Sequence, residues 1–120
     1  MADNAREFVA QWKSASGKMQ RMMPETARGF GGLFGATMKE GALPVKQKEL
    51  IAFSVGLALR CEPCIILHVQ KCLEAGATRQ EILEAAGVVV MMQGGPGYTH
   101  IPIVIEALEA LEEVESLTPE

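Results

Sequence analysis

The chain has 120 residues, enough for one domain with a hydrophobic core and too few for two. Its formal net charge is −4 and its Lys and Arg residues are scattered, which excludes an extended basic surface for nucleic acid or an anionic membrane. The N-terminal residues form no signal peptide, and no stretch approaches the roughly eighteen apolar residues that span a bilayer. We therefore expect a single domain over residues 1–120 in a reducing cytoplasm, with neither nucleic acid nor membrane as a partner.

Helical periodicity describes the first half of the chain. Apolar residues recur at helical spacing in a first helix, and a second is predicted from Pro24 to Gly41. Residues 45–60 are apolar nearly all round from Leu50 to Leu59, which predicts a buried helix. The glycines of the second helix weaken it but leave room for a neighbour to approach closely: Gly29, Gly31, Gly32 and Gly35.

The segments that follow are also predicted to be helical. Pro63 lies early in one helix, and the next begins with Thr78 and Glu81 in the spacing of a capping box. The valines of residues 88–90 favour a strand by propensity alone, but the chain offers them no strand partner, so we assign them to the helix.

A last helix is predicted near the C-terminus, with Thr99 as a candidate cap and Pro102 in the first turn, where its missing N–H costs nothing. The elements together predict an all-α fold of about six helices, with no hairpin signal.

The stretch RCEPCIILH contains the most distinctive chemistry. On a helix, Cys61, Cys64, His68 and Cys72 fall within about an 80° sector. Cys64 and Cys72 are then roughly 12 Å apart along the axis, too far for two sulfurs that each lie about 2.3 Å from one zinc ion. A zinc site would need another ligand from elsewhere, so we expect no metal or other cofactor, and we interpret Cys72 as a small buried apolar residue.

A redox function needs only residues that are close in sequence. Cys61 is expected at a helix start and Cys64 in its first turn, where unpaired N–H groups favour thiolate. His68, one turn further, can exchange a proton with the thiol. The candidate to orient this histidine is Glu49, although taken alone a carboxylate in the first turn of a helix is expected to face solvent.

The pattern Glu49-x11-Cys61-x2-Cys64-x3-His68 resembles the signature of the alkyl hydroperoxide reductase D and carboxymuconolactone decarboxylase superfamily. The similarity extends from about Leu43 through the helix of GATRQEILEA to GGPG. It implies an all-α protomer that forms a homo-oligomer, with a hexamer favoured over a trimer. It also implies thiol-dependent reduction of a peroxide, with Cys64 as peroxidatic thiol, Cys61 as resolving thiol, and His68 with Glu49 as the proton relay.

The resemblance further implies a dithiol electron donor such as a lipoyl group or a thioredoxin-like carrier. One departure is that well-known peroxidases of the superfamily have a histidine between the two cysteines, where this chain has Glu62 and Pro63. A carboxylate that faced the cysteines would raise their pKa values and weaken the nucleophile.

Three alternatives stay open. A decarboxylase of the same superfamily would have no need of the dithiol and could use His100 and Glu106. A disulfide-exchange activity would use the same thiolate against a disulfide instead of a peroxide. A redox sensor would be oxidised without turnover. A thioredoxin-like fold is excluded because the sequence provides no βαβ sheet.

Overall fold

The computed structural model describes the backbone of residues 2–116 and the side-chain surroundings of residues 4–112. No strand occurs between residues 2 and 116, and six of the helices have thirteen residues or more, so the predicted all-α fold of about six helices is confirmed. Residue 1 and residues 117–120 of the predicted domain lie outside the described part. The helices are α1 (Ala2–Met22), α2 (Pro24–Met38), α3 (Val45–Ala58), α4 (Glu62–Glu74), α5 (Arg79–Gln93), the short α6 (Gly95–Tyr98) and α7 (Ile101–Ser116).

Helix α4 lies at the centre of the protomer, where it contacts α1, α3, α5 and α7, and its most extensive contact is with α3. Burial of each large apolar side chain contributes roughly 1.5–3 kcal/mol, so this core holds α3 and α4 in a fixed relation. The largest fully buried apolar side chains come from α3, α4, α5 and α7: Phe53, Leu57, Ile65, Val69, Ile82 and Val104.

The start of α5 is fixed by its own side chains. The Thr78 hydroxyl accepts a hydrogen bond from the Glu81 backbone N–H at 3.0 Å, and the Glu81 carboxylate accepts one from the Thr78 N–H at 2.8 Å. The predicted capping box is therefore confirmed. These bonds, with a further one from Lys46, lower the pKa of Glu81. Residues 88–90 lie within α5, so their assignment to a helix is also confirmed.

Two predicted boundaries differ from the structure. The second helix ends at Met38, before the predicted end at Gly41. Helix α7 begins at Ile101, and the Thr99 hydroxyl donates instead to the carbonyl of Pro96 at 3.3 Å, so Thr99 does not cap α7. The reason is the short helix α6, which takes up the residues just before Thr99.

The prediction that α3 is buried all round is wrong for the protomer. Ile51, Val55 and Leu59 form one stripe and are 51%, 52% and 71% exposed, respectively. Only the opposite side of α3, with Phe53 and Leu57, is fully buried in the core. A uniformly apolar sequence does not reveal which face has a neighbour, because no polar face marks the solvent side.

Helix α2 lies at the periphery, and none of its side chains is buried. The expected close approach at its glycines does not occur within the protomer, since a Cβ atom at any of the four would meet no atom within 4 Å. Across the described residues, no helix combines the length and the apolar composition needed to cross a membrane.

Candidate active site

The turn between α3 and α4 sets the position of the cysteines. The N–H of Cys61 donates to the Gly56 carbonyl at 3.0 Å, and the N–H of Arg60 donates to the Leu57 carbonyl at 3.0 Å. This pair of bonds is a Schellman motif, which requires a left-handed residue after the helix end. Arg60 takes that conformation, with φ of 56°, at a position where glycine is usual. The turn directs the chain so that Cys61 begins α4.

Cys61 and Cys64 form a disulfide across the first turn of α4, with Cα atoms 5.2 Å apart. Cys61 is the N-cap residue, and its Sγ accepts a hydrogen bond from the Cys64 N–H at 3.2 Å. The unpaired N–H groups of this helix end favour negative charge on sulfur, which lowers the cost of forming a thiolate when the pair is reduced. The predicted positions of the two cysteines on the helix are therefore observed.

Glu49 and His68 connect α3 to α4. His68 Nδ1 lies 2.8 Å from Glu49 Oε1, and Glu49 is only 4% exposed. The expectation that this carboxylate faces solvent is therefore wrong, because Glu49 lies on the side of α3 that packs against α4. A carboxylate only accepts hydrogen bonds, so His68 donates from Nδ1 and its Nε2 remains to exchange a proton.

Cys64 and His68 line the same cavity, whose volume is about 450 Å³. The ring of Phe34 stacks on the His68 imidazole with centroids 6.4 Å apart and planes at 22°. This contact and the hydrogen bond to Glu49 together define the plane of the imidazole. A cysteine sulfur, an imidazole ring and a space for a small molecule thus meet at one place.

Cys72, the third cysteine of the helix face, has a different environment. It is completely buried, and burial, together with the negative charge of Glu49, raises its pKa from 9.0 to about 12. It therefore remains a neutral thiol at physiological pH, consistent with its interpretation as a small apolar residue. Nowhere in the described part of the chain do three His, Cys, Asp or Glu side chains group so that they could hold a metal ion.

Three other candidates from the sequence, Glu62, His100 and Glu106, are not among the residues that line the cavity of Cys64 and His68. Glu62 and Glu106 line a second cavity of about 500 Å³, whose lining contains neither cysteine. His100 lies within hydrogen-bonding distance of the Pro96 carbonyl, with its Nδ1 2.8 Å from that oxygen. Glu62 therefore lines a different cavity from the one that Cys64 and His68 line.

Gly56 is part of the site, although the sequence did not predict it. A Cβ atom at this position would lie 2.8 Å from the Cβ of Cys64, closer than real Cβ contacts occur. The absence of a side chain lets α3 approach α4 beside the cysteine pair. A lone glycine within an apolar helical run was the available signal, since such a glycine lowers helix stability unless packing requires it.

Comparison with known proteins shows to which family the chain is related. The family model described as "Carboxymuconolactone decarboxylase family" matches residues 24–112. The chain belongs to the carboxymuconolactone decarboxylase family. Among curated relatives, an uncharacterized protein from Cupriavidus necator is 30% identical over 95 residues, which cover 79% of this chain and 84% of that protein. An uncharacterized protein of the cox locus in Paracoccus denitrificans is 32% identical over 102 residues, covering 85% and 89% of the two chains.

Solved structures of carboxymuconolactone decarboxylase family proteins share this fold. A family protein from Legionella pneumophila superposes with a TM-score of 0.82 at 40% identity, covering 92% of this chain and 96% of that one. A family protein from Thermotoga maritima, for which a part in the antioxidative response has been suggested, gives a TM-score of 0.74 at 31% identity and covers 92% of each chain. The resemblance inferred from Glu49, Cys61, Cys64 and His68 is thus confirmed at the level of family and fold.

Gly56→Ala tests the close approach of α3 to Cys64. We expect a loss of about 1–3 kcal/mol in the free energy of unfolding, since the added methyl group overpacks the contact. The control is Gly32→Ala, where a Cβ atom meets nothing within 4 Å. That variant should be neutral or more stable by up to about 1 kcal/mol. Equal denaturant midpoints for the two variants would contradict the assignment.

The environment of Cys72 predicts a pH dependence of stability. In the unfolded chain this thiol ionises near its ordinary pKa of 9.0, whereas in the folded protein it ionises near about 12. Between these values the folded state binds more protons, so the free energy of unfolding falls as pH rises, by up to about 1.4 kcal/mol per pH unit.

Denaturant unfolding of the disulfide form at pH 9, 10 and 11 measures this slope. Cys72→Ala should be less stable at pH 8 because of the cavity, yet it should lose less stability between pH 9 and 11 than the wild type. Other titrating groups are common to both proteins and cancel in the difference. Parallel slopes would show that Cys72 does not titrate as described.

Proposed function

We propose that this member of the family is a thiol-dependent peroxidase that reduces a hydroperoxide at Cys64. The observation that carries the proposal is the cavity shared by Cys64 and His68, with His68 hydrogen-bonded to the buried Glu49 and Cys64 paired to Cys61. No metal or other cofactor takes part in the proposed reaction, which is placed in a reducing cytoplasm.

The proposed first step is attack by the Cys64 thiolate on the terminal oxygen of the hydroperoxide. A sulfur–oxygen bond forms, the oxygen–oxygen bond breaks, and the leaving alkoxide takes a proton from His68 and departs as an alcohol. Cys64 is then a sulfenic acid. His68 holds the proton that it received from the Cys64 thiol, and the carboxylate of Glu49 stabilises the imidazolium between the two transfers.

The proposed second step regenerates a disulfide. Cys61 attacks the sulfur of the Cys64 sulfenic acid, a sulfur–sulfur bond forms, and the hydroxyl group leaves as water with one proton. A dithiol donor, such as a lipoyl group or a thioredoxin-like carrier, then reduces the disulfide by thiol exchange and is itself oxidised. One hydroperoxide and one donor dithiol thus give one alcohol, one water molecule and one donor disulfide.

The alternative functions explain fewer of the observed features of the site than a peroxidase does. His100 and Glu106, the candidates for a decarboxylase, do not line the cavity of Cys64 and His68. Disulfide exchange and redox sensing use the same cysteines, but neither requires a proton carrier beside a closed-in space for a small molecule. Continuous peroxide consumption with a dithiol donor distinguishes a peroxidase from both.

Substitutions in the four proposed catalytic residues test the roles through peroxide consumption with a dithiol donor. Cys64→Ser should abolish turnover, whereas Cys61→Ser should react once and leave a sulfenic acid that a dimedone probe traps at Cys64. His68→Gln should raise the pH at which the thiol reacts, and Glu49→Gln should do so more weakly, because it orients the base and does not itself accept the thiol proton.

Cys72→Ala is the matched control for loss of a cysteine, and its turnover should equal that of the wild type. If Cys61→Ser were inactive and Cys64→Ser trapped the sulfenic acid, the nucleophile and resolving roles would be reversed. If the wild type consumed no peroxide with any dithiol donor, the peroxidase proposal would be wrong.

We also infer that the protomer assembles into a homo-oligomer, a hexamer in preference to a trimer. Helices α3 and α5, which pack against each other, both expose large apolar side chains, and such surfaces are typical of subunit interfaces. The side chains exposed by more than half are Ile51 and Val55 of α3, Leu59 directly after α3, and Val88, Met91 and Met92 of α5.

Sedimentation tests the assembly. The wild type should sediment at six times the protomer mass of 12.9 kDa. Val55→Asp should shift it to smaller species, because a buried unpaired carboxylate opposes association. Ser14→Asp places the same charge at an exposed polar position of α1, outside the apolar surface of α3 and α5, and should leave the assembly intact. A wild type that sediments as a protomer would contradict the inference.

A further inference from the structure

The cavity beside Cys64 has a lining that selects for one class of ligand. Its walls come from three helices, and most of them are apolar or aromatic: Val9 and Trp12 of α1, Phe30 and Phe34 of α2, and Leu67 of α4. Its volume of about 450 Å³ falls within the range of roughly 300–1,000 Å³ that is usual for small-molecule sites. Hydrogen peroxide alone would need no such space.

The charged residues of this lining have one sign. Lys13 of α1 and Lys71 of α4 contribute to it, and the lining contains no Asp or Glu among the described residues. The Lys71 ammonium lies 6.0 Å from the centroid of the Phe34 ring, at the wall that also covers His68. Neither ammonium forms an ion pair with a described carboxylate, so both are available to an anion.

We propose that this cavity binds amphipathic carboxylic acids, with the hydrocarbon chain against the aromatic walls and the carboxylate near Lys13 and Lys71. Given the proposed peroxidase activity, on which this step depends, the preferred substrates are hydroperoxides of such acids. The apolar walls then hold the hydrocarbon part of the substrate next to Cys64. The reaction at sulfur is the one already described, with the hydroxy acid as product.

The fluorescence of Trp12 can report ligand binding in this cavity. Trp12 is its one tryptophan, and the side chain lines the cavity while 38% of it is exposed. A hydrocarbon chain in the cavity should therefore remove water from the indole and shift its emission to shorter wavelength. The titration uses the oxidised protein, so that no turnover occurs during the measurement.

Octanoate is the first probe, and hexanoate and decanoate vary its length. Octanoate should give a saturable shift, and each added methylene should tighten binding by up to about fourfold. Octylammonium has the same chain with the opposite charge and should bind more weakly. High salt should weaken octanoate binding because the interaction of exposed charges is screened.

Lys13→Gln and Lys71→Gln test the charge. Each should weaken octanoate about threefold, as expected for an exposed charge pair, and the double variant about tenfold. Lys18→Gln is the matched control, since it removes an exposed ammonium of α1 that does not line the cavity, and its affinity should equal that of the wild type. These exposed substitutions leave the core intact, so a failure to fold is not a competing explanation.

Turnover supplies the second readout. The kcat/KM for a fatty-acid hydroperoxide should exceed that for tert-butyl hydroperoxide by roughly tenfold or more, and the ratio should fall in the Lys13→Gln/Lys71→Gln variant. Octanoate binding without turnover of any hydroperoxide would support the acid site and overturn the peroxidase proposal. Turnover of tert-butyl hydroperoxide without octanoate binding would support the peroxidase proposal and overturn the acid site.

Two further results would overturn the inference. Equal affinities for octanoate and octylammonium would show that the lysines do not select the ligand. Trp12 emission that changed with protein concentration and not with octanoate would assign the aromatic walls to contact with a second copy of the chain.

Discussion

Helices α3 and α4 can pack at their observed separation only because residue 56 has no side chain. The Cβ of Cys64 occupies the space that a side chain of Gly56 would fill, and the backbone carbonyl of the same glycine accepts the hydrogen bond from Cys61. One residue thus sets both the distance between the helices and the point at which the second helix begins. The contact of Glu49 with His68 depends on that distance, since each residue lies on one of the two helices.

Burial and the charge of Glu49 make Cys72 chemically different from the cysteine pair at the start of α4. The carboxylate is buried and satisfied by His68, so it has the geometry to stabilise an imidazolium beside the cavity. Burial, together with the same negative charge, raises the pKa of Cys72 and keeps that thiol neutral. The helix start has the opposite effect on the cysteine pair, where backbone N–H groups favour negative charge. Cys72 is therefore held as a neutral thiol, whereas the helix start favours thiolate at the reduced cysteine pair.

Much of this arrangement could be predicted from local sequence. The capping box of Thr78 and Glu81, the helix start at Cys61 and the proximity of Cys64 to His68 depend on residues within a few positions of one another. The burial of Glu49 could not be predicted in this way, because the helix that follows it is apolar on every side and so does not reveal which face packs against α4.

Thr99 and the glycines also show that local sequence does not determine tertiary contacts. Thr99 is a suitable cap by residue type, but the preceding turn of helix uses its hydroxyl. Four glycines in α2 suggested close packing that does not occur within the protomer, whereas the single Gly56 makes the contact. Only the tertiary arrangement decides which glycine meets a neighbour, so the composition of a helix is a weak guide to it.

The position of Cys61 has a consequence for the backbone. Its sulfur is both the N-cap acceptor of α4 and one half of the disulfide, so the start of the helix differs chemically between the two covalent states. A thiolate accepts a stronger, charge-assisted hydrogen bond than a disulfide sulfur does. The hydrogen bond from the Cys64 N–H is therefore expected to be stronger when Cys61 is a thiolate than when it is part of the disulfide, so the stability of the first turn of α4 depends on the oxidation state of the pair.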